Sequence, residues 1–376
     1  MMTEIAPERN PHLAKILEFG TSPWIDNITR DWFVNGKLSE LIALGVVGLT
    51  SNPSIFSNAI SSTDIYDKDI AAFASKGLNS SQIAFELAKY DVSAAARLMA
   101  QIYESSNKQD GWVSLEVDPD LAFDSPGTLA AAKALHQELH IDNAIKNIMI
   151  KIPATKEGLG PIEDALASGI SVNVTLIFSL ERYREVYRAF LRGASRFAQD
   201  GGDLTTLKSV ASFFVSRLDS AIDPLLVQRG RPDLVGTVAL AQSKMAYQAF
   251  LEFQNESESQ ELLAKGLSPQ RPLFASTSTK NPDFPDLLYV ENLIGPNSVN
   301  TMPLGTLEAL VDHGNPRKES VLEDIEGAIE LLSSTLSSLD IDLVEVTQEL
   351  ERQGVSSFSK AWHALLEEIE KKIANF

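Results

Sequence analysis

Eight short apolar, β-branched runs, spaced by stretches of helical periodicity, constrain the fold of this 376-residue chain more than any other feature. The runs are Ser22–Asn27, Val46–Thr50, Gly111–Asp118, Asn147–Pro153, Ser171–Phe178, Leu207–Val215, Pro272–Thr277 and Ser298–Met302. Helical spacing fills 38–45, 61–109, 128–138, 160–168, 182–197 and 235–253, whereas Glu256 to Glu261 reads as an acidic loop. From Val321 to Phe376 the chain returns to amphipathic helices. Strands alternating with helices build parallel sheets, and this number of repeats suggests a closed (β/α)8 TIM barrel, with an open doubly wound sheet as the alternative. The barrel accounts better for the polar residues near the C-terminal ends of several runs, because a barrel gathers them at one mouth. The expected organisation is a single barrel domain over 1–376, with an N-terminal lead-in at 1–20 and a C-terminal helical segment at 316–376 packed on the barrel.

Charge and composition narrow the partners. A formal net charge of −19 argues against nucleic acid, whose phosphates are bound through clustered lysine and arginine, but leaves a small anion open where the site is locally positive. With no cysteine, disulfides, thiolate metal sites and a cysteine nucleophile are excluded. The first twenty residues mix Glu4, Glu8, Arg9, His12 and Lys15 with short apolar pairs, unlike a signal peptide. No apolar run approaches the length of a membrane span. The expectation is a cytoplasmic enzyme or binding protein with no membrane partner, as a monomer or a homodimer.

The fourth run, Asn147-Ile148-Met149-Ile150-Lys151-Ile152-Pro153, carries a lysine inside a strand that reads as buried. Alternation puts Ile148, Ile150 and Ile152 on one face and Met149, Lys151 and Pro153 on the other; in the fifth run it puts Val172, Val174, Leu176 and Phe178 on one face and Asn173 and Thr175 on the other. A lone lysine in such a run usually snorkels to water. A reactive amine is the sharper alternative: desolvation disfavours an ammonium, and a neutral amine attacks carbonyls. Other strands decide between the two, since Asp26, Asn52, Glu116, Asn173, Thr175 and Ser212 all fall at strand ends and would share a barrel cavity with Lys151.

Five motifs then resemble the transaldolase family: Gly48-Leu49-Thr50-Ser51-Asn52-Pro53-Ser54, Val113-Ser114-Leu115-Glu116-Val117-Asp118, Ile150-Lys151-Ile152-Pro153-Ala154-Thr155, Asn173-Val174-Thr175-Leu176-Ile177-Phe178 and Ser212-Phe213-Phe214-Val215-Ser216-Arg217. The resemblance spans about residues 20 to 310 in family order, and the length together with Ala275 to Asn281 resembles the family's longer bacterial branch. The resemblance implies a cofactor-free enzyme on a (β/α)8 barrel that moves a dihydroxyacetone unit between sugar phosphates of the pentose phosphate pathway. It implies Lys151 as the Schiff-base lysine and Asp26 as the carboxylate that takes the C4 hydroxyl proton. Glu116 and Thr175 would position a catalytic water. Asn52, Asn173 and Ser212 would hold the hydroxyls of the three-carbon unit, Phe214 would wall the site, and Arg217 would bind phosphate. Shorter members place an arginine soon after the serine of the seventh strand, whereas here Ser276 is followed only later by Lys280; Ser276 and Lys280 are assigned to the phosphate. Strand parity puts Ser212 and Arg217 on opposite faces, so Arg217 is expected beyond the strand end, in the loop.

Other signals carry less. His136 and His140 have a zinc-compatible spacing, but no third ligand lies nearby, so they read as a solvated helix face. Lys156 to Gly160 lacks the spacing of a phosphate loop and reads as a turn from strand to helix. No histidine falls at a strand end, which disfavours a metal-dependent aldolase. The remaining rivals are a class I aldolase releasing free dihydroxyacetone and a non-catalytic sugar-phosphate binder on the same scaffold.

Overall fold

The computed structural model describes residues 9–140 and 145–375, so the start of the lead-in and Phe376 lie outside the described residues. Its strands are β1 (Thr21–Asp26), β2 (Leu49–Thr50), β3 (Val113–Glu116), β4 (Ile148–Pro153), β5 (Val172–Ile177), β6 (Ser209–Phe214), β7 (Arg271–Ala275) and β8 (Ser298–Met302). They pair in sequence order, all parallel, and β8 closes on β1. The expected closed barrel is therefore the observed fold.

Register explains how one sequence delivers so many polar groups to one place. Residues paired across parallel strands point to the same side, and the pairs can be followed around the barrel. Asp26 pairs with Thr50, Glu116 with Lys151, Lys151 with Asn173, Pro153 with Thr175, Asn173 with Val210, and Ser212 with Leu273. Leu273 pairs with Val299, Val299 with Ser22, and Thr301 with Trp24, which returns the walk to the face of Asp26. Arg271 lies low on this face, bound to the Ser298 carbonyl at 2.8 Å and to Asp110 at 3.0 Å. Trp24 fills the next level, and Gly48 is a glycine because a Cβ there would stand 2.3 Å from the Trp24 indole.

Three local expectations need correction. The second run is strand only at Leu49–Thr50, since Val46 to Gly48 forms the approach, with the Val47 amide donating to the Pro23 carbonyl at 3.0 Å. The acidic stretch is not a loop but a helix, Ser257–Ala264, whose Ser259 and Leu262 are buried while its acids face out. Ser259 meets the Tyr187 hydroxyl at 2.8 Å, and that inward contact at helical spacing overrides the charge. In β5 the register slips between Val174 and Ile177, with Leu176 at φ 60°, so the alternation expected through Phe178 breaks after Thr175. A left-handed leucine at a strand end is a strained element of the kind that clusters at functional sites.

The long C-terminal helix Leu343–Ala374 packs on the helix Pro53–Ser62 that follows β2, on the helix Ser80–Ser105, and on the end of β5. It buries Phe358, Trp362, Leu365 and Ile369, spaced to make one stripe. His136 and His140 also depart from expectation: their ring centroids lie 4.1 Å apart with the planes tilted by 33°, and burial, then the neighbouring His140, pushes His136 down to about 4. They are half-buried, because the helix face between Leu135 and Leu139 turns toward the core.

Buried Asp219 joins three helices: its carboxylate accepts from the Ala239 amide and from the Tyr289 hydroxyl, both at 2.8 Å. Burial is the main cause that raises it from 3.8 to about 7. A raised carboxyl contributes stability below its unfolded value and loses it as pH climbs through the folded value. Asp219→Asn should therefore gain on the wild type as pH rises from 5 to 8, by on the order of 3 kcal/mol, in denaturant melts at both pH values. An equal difference at both pH values would refute this.

Candidate active site

At the C-terminal end of the barrel a cavity of about 150 Å³ is lined by Asp26, Thr50, Asn52, Lys151, Thr175, Ser212, Phe214, Arg217, Ser276, Ser278, Lys280, Thr301 and Phe358, with Ala275 and Pro303. A larger groove of about 890 Å³ runs between Ser179–Arg182 and 340–351, but its Arg182 is already paired with Glu185 and Glu351, and Lys156 in its lining is exposed. The smaller cavity holds the reactive constellation.

Lys151 is 4% exposed. It has not snorkelled: its Nζ donates to the Ser51 carbonyl at 3.1 Å, lies 3.5 Å from Glu116 Oε2, and faces the Phe358 ring, 5.5 Å from its centroid. Burial pushes Glu116 up to about 7, against the pull of Lys151. A carboxyl poised there can hold or yield a proton near neutral pH. Glu116 Oε2 and Thr175 Oγ1 are buried without a hydrogen-bond partner among the described residues.

Asp26 lies at the mouth, where Thr50 Oγ1 donates to Oδ1 at 2.6 Å and Thr301 Oγ1 stands 2.7 Å behind Thr50. Burial raises its carboxyl, while Lys151, the Thr50 bond and Arg217 lower it. Asn173 and Ser212 form a buried chain, in which Ser212 Oγ donates to Asn173 Oδ1 at 2.7 Å and Asn173 Nδ2 to Ser114 Oγ at 3.0 Å. Asn52 caps the helix Pro53–Ser62, its side-chain oxygen accepting from the Ile55 amide at 3.0 Å, which aims its remaining amide hydrogens elsewhere.

Arg217 is beyond the strand, as parity requires, but in the first turn of the helix Ser216–Gln228 and not in a loop. The chain turns directly from β6 into that helix, so the guanidinium comes to lie over the Phe214 ring at 5.3 Å. Ser276, at φ 57°, meets Ser216 Oγ at 2.9 Å, and Lys280 is exposed with its Nζ on Ser278 Oγ at 2.9 Å. Two of the expected cavity residues do not line it: Glu116 lies behind Lys151, and Asn173 lies beneath Ser212. Sequence reasoning missed Thr50, Ser278, Thr301 and Phe358. The threonines look like ordinary strand formers, whereas Phe358 is signalled by Gly354 one turn earlier, a glycine in mid-helix that marks close packing.

The family model for transaldolase/fructose-6-phosphate aldolase matches residues 23–369. The chain belongs to that family. A transaldolase of Thermobifida fusca is 43% identical over 366 residues, covering 96% of this chain and 98% of the relative. A transaldolase 1 of Streptomyces avermitilis is 44% identical over 362 residues, covering 95% and 94%. A transaldolase 2 of Nostoc punctiforme is 39% identical over 376 residues, covering 96% and 97%. The family match takes in all the strand ends above and most of the C-terminal helix, Phe358 included.

Proposed function

We propose that the protein is a transaldolase, transferring a dihydroxyacetone unit from a ketose phosphate, fructose 6-phosphate or sedoheptulose 7-phosphate, to an aldose phosphate through a Schiff base on Lys151. The observation that carries this is a lysine buried at a barrel strand end, with carboxylates on two sides and hydroxyl and amide groups across the cavity. Lys151 attacks the ketose carbonyl, and loss of water gives an iminium that draws electrons from the C3–C4 bond. Asp26 takes the C4 hydroxyl proton as that bond breaks, leaving an enamine in place of a bare carbanion. The aldose phosphate departs, an acceptor aldehyde enters, and the steps reverse.

Water must leave when the iminium forms and return when it hydrolyses. Glu116 Oε2, which faces Lys151 at 3.5 Å, and Thr175 Oγ1 in the lysine's cavity have no hydrogen-bond partner among the described residues, and they supply the polar contacts a working water needs. Asn52 and Ser212 grip the hydroxyls of the three-carbon unit, with Asn173 steadying Ser212, and Phe214 closes one wall. Arg217, in the first turn of a helix whose amides point outward, takes the phosphate with Ser276 and Lys280 at the rim. A cytoplasmic setting goes with such substrates, because phosphorylated sugars are anions that cross a bilayer only at great cost.

The test mixes fructose 6-phosphate with erythrose 4-phosphate and follows sedoheptulose 7-phosphate and glyceraldehyde 3-phosphate. Formation of both at equal rates is the expected result. Free dihydroxyacetone at the same rate with or without acceptor would make the protein an aldolase instead.

A further inference from the structure

The C-terminal helix reaches the lysine from outside the barrel, and its fastening is specific. At Gly354 an added Cβ would stand 3.1 Å from Phe178 and 3.2 Å from Leu176, so the glycine lets the helix lie close against the end of β5. One turn on, Phe358 is 5% exposed and presents its ring to Lys151 Nζ. The adjacent Ser359 and, one turn on, His363 both bind Asp120 in the turn after β3, and Trp362 packs on Phe85 with centroids 5.0 Å apart. Nearer the C-terminus Lys372 pairs with Asp67. The ring over the lysine is thus held by contacts on both sides of it.

The cavity is otherwise mostly polar, and Phe358 and Phe214 are its two aromatic walls. We propose that Phe358 determines the partition between transfer and release, by keeping bulk water from the carbon bonded to Lys151 Nζ while the enamine waits for an aldehyde. This rests on the transaldolase reading. Release requires a proton on the enamine carbon that was bonded to C4, which regenerates the iminium. A water oxygen then adds to the carbon next to Nζ, that water loses a proton, the C–N bond breaks, and Nζ takes up a proton. The net reaction is enamine plus water giving dihydroxyacetone plus the free amine, with no oxidant or reductant. Its one co-reactant is water, and a phenyl ring seated over the nitrogen occupies the volume from which bulk water would approach.

The experiment measures dihydroxyacetone released from fructose 6-phosphate without acceptor, relative to sedoheptulose 7-phosphate formed with erythrose 4-phosphate. Phe358→Ala is expected to raise that ratio about tenfold or more, and Phe358→Leu, which keeps bulk, to stay near the wild type. A purely structural role would slow both reactions together and leave the ratio unchanged, which overturns the proposal. Should the alanine variant not fold, Phe358→Val replaces it, with a ratio above that of Phe358→Leu expected and equality contradicting the proposal. A second readout does not depend on transfer: after donor is removed, the three-carbon adduct trapped by borohydride should decay about tenfold faster in the smaller variants. Wild-type protein without transfer activity would sink the transaldolase reading, while an unchanged adduct lifetime would sink the role of Phe358.

Discussion

Replacing Lys151 by alanine is expected to lower transfer by roughly 10⁴-fold or more, because a covalent route has no partial form without its nucleophile. Arginine should be no better, since a guanidinium stays protonated and cannot form the imine. The fold is expected to survive. Glu116 loses the cation that lowers its pKa, so burial drives it to the neutral acid instead of leaving a bare buried charge. Circular dichroism and melting would show a folded protein, and steady-state assays an inactive one. Transfer by Lys151→Ala within tenfold of the wild type would remove the Schiff base from the account.

Asp26→Asn is expected to cost about 10² to 10⁴-fold, at a different step. The amide oxygen can still accept from Thr50, so the 2.6 Å contact and the shape of the cavity persist. On the proposed mechanism, what is lost is the base for the C4 hydroxyl proton. The iminium should form and then stall before carbon–carbon cleavage. Borohydride reduction of this variant with fructose 6-phosphate should trap the intact six-carbon chain on Lys151, where the wild type yields the three-carbon fragment. A three-carbon adduct on the variant, formed at the wild-type rate, would take the proton-transfer role away from Asp26.

The barrel was legible because its signal is repeated. Each run alone is a short apolar stretch that fits a strand or a buried helix segment, but eight in alternation with helices leave few topologies. Parity within β4 and β5 correctly put Lys151, Asn173 and Thr175 on one face, since a side-chain period of two holds wherever the ladder is regular. Parity failed after Thr175, where the register slips around Leu176, a residue that lies against Gly354 of the C-terminal helix, far away in sequence.

The site was legible in the same measure. Residues at strand ends could be placed by counting, and Asp26, Lys151, Thr175 and Ser212 do line one cavity. Glu116 and Asn173 stand one layer back, a distinction of depth that periodicity cannot express. The Thr50–Thr301 support behind Asp26 links residues 251 positions apart, and the Phe358 contact likewise joins the last helix to the fourth strand. Such contacts come from closure of the barrel and docking of the helix: the threonines carry no local signal, and Gly354 marks close packing of the last helix without naming what it packs on.

In the proposed mechanism Lys151 forms a covalent imine with the donor and keeps three of its carbons. The most direct test is borohydride reduction of the wild-type protein in the presence of fructose 6-phosphate, followed by peptide mass spectrometry. A stable adduct is expected on the peptide carrying Lys151, with the mass of a reduced dihydroxyacetone unit. An unmodified Lys151 in protein that still binds the sugar phosphate, or an adduct on another lysine, would contradict it.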